Sequence, residues 1–207
     1  MTQPTVGVRS LADVQTMRVA TWNVWWRHGD WARRRPAIVE TLRRLDADIV
    51  GLQEFSSREP DMGAWLRDEL GYQVATSPDG DDDRYGLTNA IGSRHPITAT
   101  EWEYLDVGEL PPHRTLLRAT IDAPAAPVEI YCTHLSHGFD QSGLRQRQIA
   151  QLARRVAADR PDDPKTAFPP VVLGDLNATP ESDEIRRLTG HAEPAAPGLV
   201  FTDAWSQ

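Results

Sequence analysis

The sequence predicts an α/β (α+β) domain in which two packed mixed β-sheets are flanked by helices. Short apolar runs of strand length alternate with amphipathic stretches at helical spacing. Several strand runs follow one another with no helix between them, which argues against a purely parallel sheet. A length of 207 residues with 40% hydrophobic content suits one domain with a real core.

Residues 1–16 read as a polar lead-in, and the domain proper runs over 17–207. Met17 to Trp25 alternates and is rich in β-formers, a strand pattern. Arg33 to Leu45 spaces Ile38, Val39, Leu42 and Leu45 as a helix, with Pro36 tolerated in the first turn. Asp48 to Glu54 is a buried strand ending in a carboxylate, and Pro60 to Leu70 is a second helix closed by Gly71. Strands follow at 72–76, 87–93, 97–105, 115–121 and 128–135. The acidic run Asp79-Gly80-Asp81-Asp82-Asp83 lacks the spacing of glycine and terminal glutamate that an EF-hand calcium loop requires and reads as a solvated turn. Ser142 to Asp159 is a long helix carrying Leu144, Ile149, Leu152 and Val156. A connector rich in Pro and Asp (160–170) leads to a buried strand ending at Asp175 and a helix near 181–188.

The balance of 30 acidic to 22 basic residues, net −8, demotes non-specific binding to a polyanion. Cys132 is the single cysteine, so no disulfide framework forms within the chain, and its apolar neighbours make it a small core residue. The start has no basic-then-apolar leader pattern, and no stretch approaches the ~18 consecutive apolar residues of a membrane span. The expectation is a cytoplasmic protein.

The chemistry lies at strand ends. Asn23 interrupts the first strand, Glu54 ends the second, His134 sits near the end of another, and Asp175 and Asn177 follow the last in Gly174-Asp175-Leu176-Asn177. Burying such a group without a partner costs roughly 1–3 kcal/mol, so a set of them calls for mutual partners or a metal. Singly, each has a plain structural explanation: a solvated strand end, a satisfied histidine, a bulge, a helix cap. Jointly they form a cluster of oxygen and nitrogen donors suited to Mg²⁺ or Mn²⁺, with no Cys/His spacing for structural zinc. The same cluster suits attack on a phosphoester. Trp22, Trp25, Trp26 and Trp31, with Arg27 and His28 between, either pack in the core or stack a base or sugar; the core is favoured, with Trp26 and Trp31 the best candidates for exposure.

These residues resemble the endonuclease/exonuclease/phosphatase superfamily, the DNase I-like metal-dependent phosphoesterases. The resemblance runs through Thr21-Trp22-Asn23-Val24, Leu52-Gln53-Glu54, the block from Asn89 to Pro96, Thr133-His134-Leu135, Gly174 to Pro180 and Thr202-Asp203-Ala204-Trp205, with Arg145 and Gln148 as lesser marks. It implies a four-layer sandwich and a divalent-metal-dependent hydrolase, a phosphodiesterase, nuclease or phosphatase. Glu54 is then a direct ligand of Mg²⁺ (or Mn²⁺) with help from Asn23, and Asp175 positions and activates water. Asn177 and His134 contact the scissile phosphate, and the Asn89–Pro96 block is mainly structural. The substrate stays open between a small phosphoester, a phospholipid head group, a sugar phosphate and nucleic acid.

One departure bears on activity. The family continues past Asp-Ala-Trp into further strands and closes on Ser-Asp-His, whose Asp and His belong to the catalytic set. No Ser-Asp-His occurs here; Ser182-Asp183-Glu184 follows the wrong element, and His191 lies in a Pro/Ala-rich loop. The expectation is a domain short of its last two strands. The alternative to an enzyme is then an inactive truncated member acting as a binding module, prone to associate through an open sheet edge.

Overall fold

The computed structural model describes residues 16–56, 61–78, 87–108, 114–160 and 168–206, which form two four-stranded sheets and four helices. The acidic run at 79–83 and most of the 160–170 connector lie outside the described residues, as does nearly all of the lead-in. The first sheet takes the order β1-β2-β4-β3, from β1 (Val19–Asn23), β2 (Ile49–Ser56), β3 (Gln73–Thr76) and β4 (Leu87–Ser93). The second takes β5-β6-β7-β8, from β5 (Ile97–Leu105), β6 (Arg114–Ile121), β7 (Val128–His134) and β8 (Val171–Asp175). Each sheet is mixed: β1 runs parallel to β2 and β7 parallel to β8, while the other pairings are antiparallel.

Period-2 alternation sorts the apolar side chains into three layers. Between the sheets lie Ile49, Ile91, Leu117, Ala119, Ile121, Ile130, Cys132 and Leu173. Outside the first sheet, Val50, Leu52, Phe55 and Ala90 meet Ile38, Val39 and Leu42 of α1 (Trp31–Leu45) and Met62, Trp65 and Leu66 of α2 (Met62–Leu70). Outside the second, Leu116 and Tyr131 meet Ile149, Leu152 and Val156 of α3 (Ser142–Asp159) and Leu188 of α4 (Asp183–Thr189). Helix, sheet, sheet and helix make the expected four layers. Gly51 lets the sheets approach, since a Cβ there would come 2.8 Å from Leu173 Cβ.

The first two helices start on caps that the sequence carries. Asp30 accepts from Arg33 N at 3.3 Å to open α1, and Asp61 accepts from Gly63 N at 2.7 Å to open α2. Gly71 closes α2 in the left-handed region, as read from the sequence. Cys132 is a core residue: burial pushes its thiol up to about 12, and Gln53 Nε2 donates to its sulfur at 3.3 Å. Among the described residues no helix is long and apolar enough to cross a membrane.

β1 ends earlier than the alternation of Met17–Trp25 suggests, because Trp25 and Trp26 take left-handed backbone at φ 56° and 39°. β2 runs past Glu54 to Ser56 through a register shift between Leu52 and Phe55. Trp25 is the half-exposed tryptophan of its cluster, while Trp22, Trp26 and Trp31 pack against the core beside α1. That corrects the expectation for Trp26 and Trp31: a tight turn turns Trp25 outward and lays its neighbour inward.

Candidate active site

The two sheets bring β1 and β8, each the outermost strand of its sheet among the described residues, alongside one another. Their C-terminal ends meet. Parallel pairing carries Asn23 level with Gln53, and His134 level with Asp175. The bulge in β2 places Glu54 at φ 52°, a strained conformation for a non-glycine residue, and aims its carboxylate toward β1. The five residues singled out by the sequence, Asn23, Glu54, His134, Asp175 and Asn177, therefore converge from four strand ends.

Asn23 is the bridge. Its Nδ2 donates to Glu54 Oε1 at 3.0 Å and to Asp175 Oδ2 at 2.9 Å, while its Oδ1 accepts from Trp25 N at 2.9 Å. Asp175 is held on both oxygens, since Oδ1 accepts from Asn177 N at 3.0 Å and His134 Nε2 lies 3.7 Å from Oδ2. Asn177 takes left-handed backbone (φ 50°), and its Nδ2 donates to Leu135 O at 2.9 Å, which ties the loop after β8 to the end of β7. Leu135 N in turn donates to Asp175 O at 3.0 Å. Gly174 is needed for this packing, because a Cβ there would stand 2.5 Å from Thr133 O.

His134 is nearly buried, and burial with Arg114 nearby pushes its pKa down to about 3 against the pull of Asp175. Its imidazole is neutral at ordinary pH, a hydrogen-bond donor or acceptor rather than a standing positive charge. Arg114 and His137, whose Nη2 and Nδ1 lie 3.1 Å apart, supply cationic and imidazole groups beside it. Neither was singled out from the sequence. Arg114 opens β6 and reaches the site only through the pairing of β6 with β7, a long-range relation that no local pattern announces.

Behind His134 the polypeptide is fastened to α3 and α4. Arg145 is buried; its Nε donates to Glu184, which has no solvent exposure, and its Nη1 donates to Ser136 O and Gly138 O at 3.2 and 2.8 Å. Gln148 accepts from Ser136 N at 3.1 Å and donates to Asp106 O at 2.8 Å. The Asn89–Pro96 block is structural where the structure describes it. Asn89 Nδ2 donates to Thr115 O at 2.9 Å across the sheets, and Arg94 pairs with Asp46 while lying over the Tyr72 ring. Asp203 caps a short turn, accepting from Trp205 N at 2.9 Å.

The donor set fits a hard divalent cation. Glu54 and Asp175 are two carboxylates joined through one amide nitrogen, and among the described residues neither pairs with a lysine or arginine. Among those residues no cluster of three or more His, Cys, Asp or Glu stands ready to cage a metal. Mg²⁺ asks for less: it is commonly held by one or two carboxylates with water and substrate phosphate completing the octahedron.

The fold has counterparts among solved structures. The human nocturnin catalytic domain with bound sulfate superposes with TM-score 0.68 at 21% identity, over 84% of this chain and 69% of that one. A truncated Caenorhabditis elegans TDP2 gives TM-score 0.66 at 20% identity, over 80% of this chain and 64% of that one. ANGEL2, a 2′,3′-cyclic phosphatase in complex with adenosine-2′,3′-vanadate, gives 0.68 at 17% identity, over 84% of this chain and 57% of that one. At these identities the likeness carries the fold, and the chain spans between just over half and about two thirds of those lengths. No curated protein matches the sequence significantly. The model of the Endonuclease/Exonuclease/phosphatase family matches residues 20–206, nearly every element described above, and the chain belongs to that family.

Proposed function

We propose that the protein hydrolyses a phosphoester with the help of a divalent cation, Mg²⁺ or Mn²⁺, at the Asn23–Glu54–Asp175 cluster. The observation that carries this reading is the pair of carboxylates bridged by Asn23 Nδ2 at 3.0 and 2.9 Å, with no lysine or arginine among the described residues paired to either. Glu54 would hold the cation, and Asn23 keeps the two carboxylates in register. A bound divalent cation supplies charge neutralisation for the phosphoryl oxygens. Asp175, fixed on both oxygens, orients the attacking water and takes its proton. Neutral His134 donates an N–H to a phosphoryl oxygen, and Asn177 has a second amide proton beyond its bond to Leu135 for the same purpose. Family membership and the hydrolase neighbour ANGEL2 support the reaction class.

The test is hydrolysis of bis(p-nitrophenyl) phosphate with Mg²⁺ or Mn²⁺ and with EDTA. Turnover that EDTA abolishes and added metal restores is expected. Absence of metal-dependent turnover in the folded protein overturns the proposal and leaves a binding module.

A further inference from the structure

The turn after Asn23 is costly to build. Trp25 and Trp26 both have positive φ, at 56° and 39°, a region that bulky side chains rarely enter and that costs on the order of 1–3 kcal/mol per residue. Several bonds hold it there. Trp25 N donates to Asn23 Oδ1 at 2.9 Å, and Trp26 N donates to Glu54 O at 3.2 Å. From α1, the Arg34 guanidinium donates to His28 O at 2.6 Å and to Val24 O. The same guanidinium stacks on the Trp25 indole, 5.0 Å from its centroid, and the His28 ring lies 5.5 Å away. Gly29 closes the turn so tightly that a Cβ would come 3.3 Å from Trp25 Cζ3.

All this fixes a side chain that remains 53% exposed, while Trp22, Trp26 and Trp31 pack against the core. Core packing does not explain a large apolar ring held in water by strained backbone. A ring backed by a cation, on a backbone anchored to the same Asn23 that bridges Glu54 and Asp175, is instead a preorganised stacking surface.

We infer that Trp25 stacks on the base of a nucleotide-type substrate whose phosphate is held at the neighbouring carboxylates. The inference rests on the phosphoester reading above and narrows it: a planar base gains from stacking on an indole, whereas a sugar phosphate offers no such plane. The net charge of −8 favours a small nucleotide over a long polyanion.

The experiment is equilibrium binding of AMP and of ribose 5-phosphate in Mg²⁺, in an Asp175→Asn background so that turnover does not intrude. AMP is expected to bind about tenfold more tightly. Trp25→Asn, which removes the ring yet suits left-handed backbone, brings AMP down to the level of ribose 5-phosphate. Trp25→Phe keeps most of the preference, and Trp102→Ala, an exposed tryptophan on β5, changes nothing. Equal affinities with Trp25 intact, a preference that survives Trp25→Asn, or no AMP binding at millimolar concentration would each overturn the inference. Loss of metal-dependent hydrolysis with the base preference intact would count against the phosphoesterase reading alone.

Discussion

Asn23 Nδ2 lies 3.0 Å from Glu54 Oε1, and Glu54 meets it from a backbone at φ 52°. The bond exists because β2 bulges there; regular strand geometry would turn residue 54 to a different side. Strain in the strand and placement of the carboxylate are one feature.

A glycine at position 54 is therefore expected to give a more stable protein than an alanine, the reverse of their usual order within regular structure. The left-handed conformation penalises alanine by about 1–2 kcal/mol. Urea midpoints of Glu54→Gly and Glu54→Ala check this, and an alanine variant at least as stable as the glycine one would sink it. Neither variant is expected to respond normally to Mg²⁺.

Asp175→Asn preserves the size of the side chain and removes its charge and basicity. On the proposed mechanism, kcat on an aryl phosphodiester falls by roughly 10²–10⁴ with far-UV circular dichroism unchanged. A variant with wild-type kcat would remove Asp175 from the chemistry.

The pKa of His134, depressed to about 3, makes a stability prediction. The unfolded chain takes up a proton near pH 6.5, while the folded protein resists it until about pH 3. Below pH 6.5 the unfolded state thus binds more protons, and acid destabilises the fold by up to ~1.4 kcal/mol per pH unit across that window. Above it the residue contributes no pH dependence. Urea unfolding between pH 7 and pH 4 should show a shallower acid loss in His134→Asn than in wild type; parallel curves would contradict the burial argument.

Arg145→Met leaves the Glu184 carboxylate buried without its counter-charge, with the Ser142 hydroxyl still donating to it, at a cost of about 3–5 kcal/mol. Adding Glu184→Leu should recover much of that loss. A double variant no more stable than the single one would mean that the arginine acts mainly through Ser136 O and Gly138 O.

The elements were largely legible in the sequence, because their apolar period matches the layer each one buries: Ile49 faces between the sheets while Val50 and Leu52 face the helices. The five polar residues at the strand ends were legible as well, since a core has no use for them. Three things were not. The bulge at Glu54 depends on a positive φ, to which alternation is blind. Arg114 comes near His134, and meets His137 just beyond the end of β7, only through strand pairing. The outward face of Trp25 follows from Arg34, nine residues on, gathering the carbonyls of its turn.

Gly51 and Leu173 mark where the two sheets close on each other, and the chemistry is divided across that seam. Asn23 and Glu54 belong to one sheet, His134 and Asp175 to the other, and the bond from Asn23 to Asp175 spans 152 residues of sequence. Neither half holds the arrangement alone. Contacts of such long range form late in folding, after local turns and helices have paid little entropy to assemble. In a refolding experiment the backbone signal should then return ahead of the proposed metal-dependent hydrolysis, so that recovery of that hydrolysis times the docking of the sheets rather than the formation of either one.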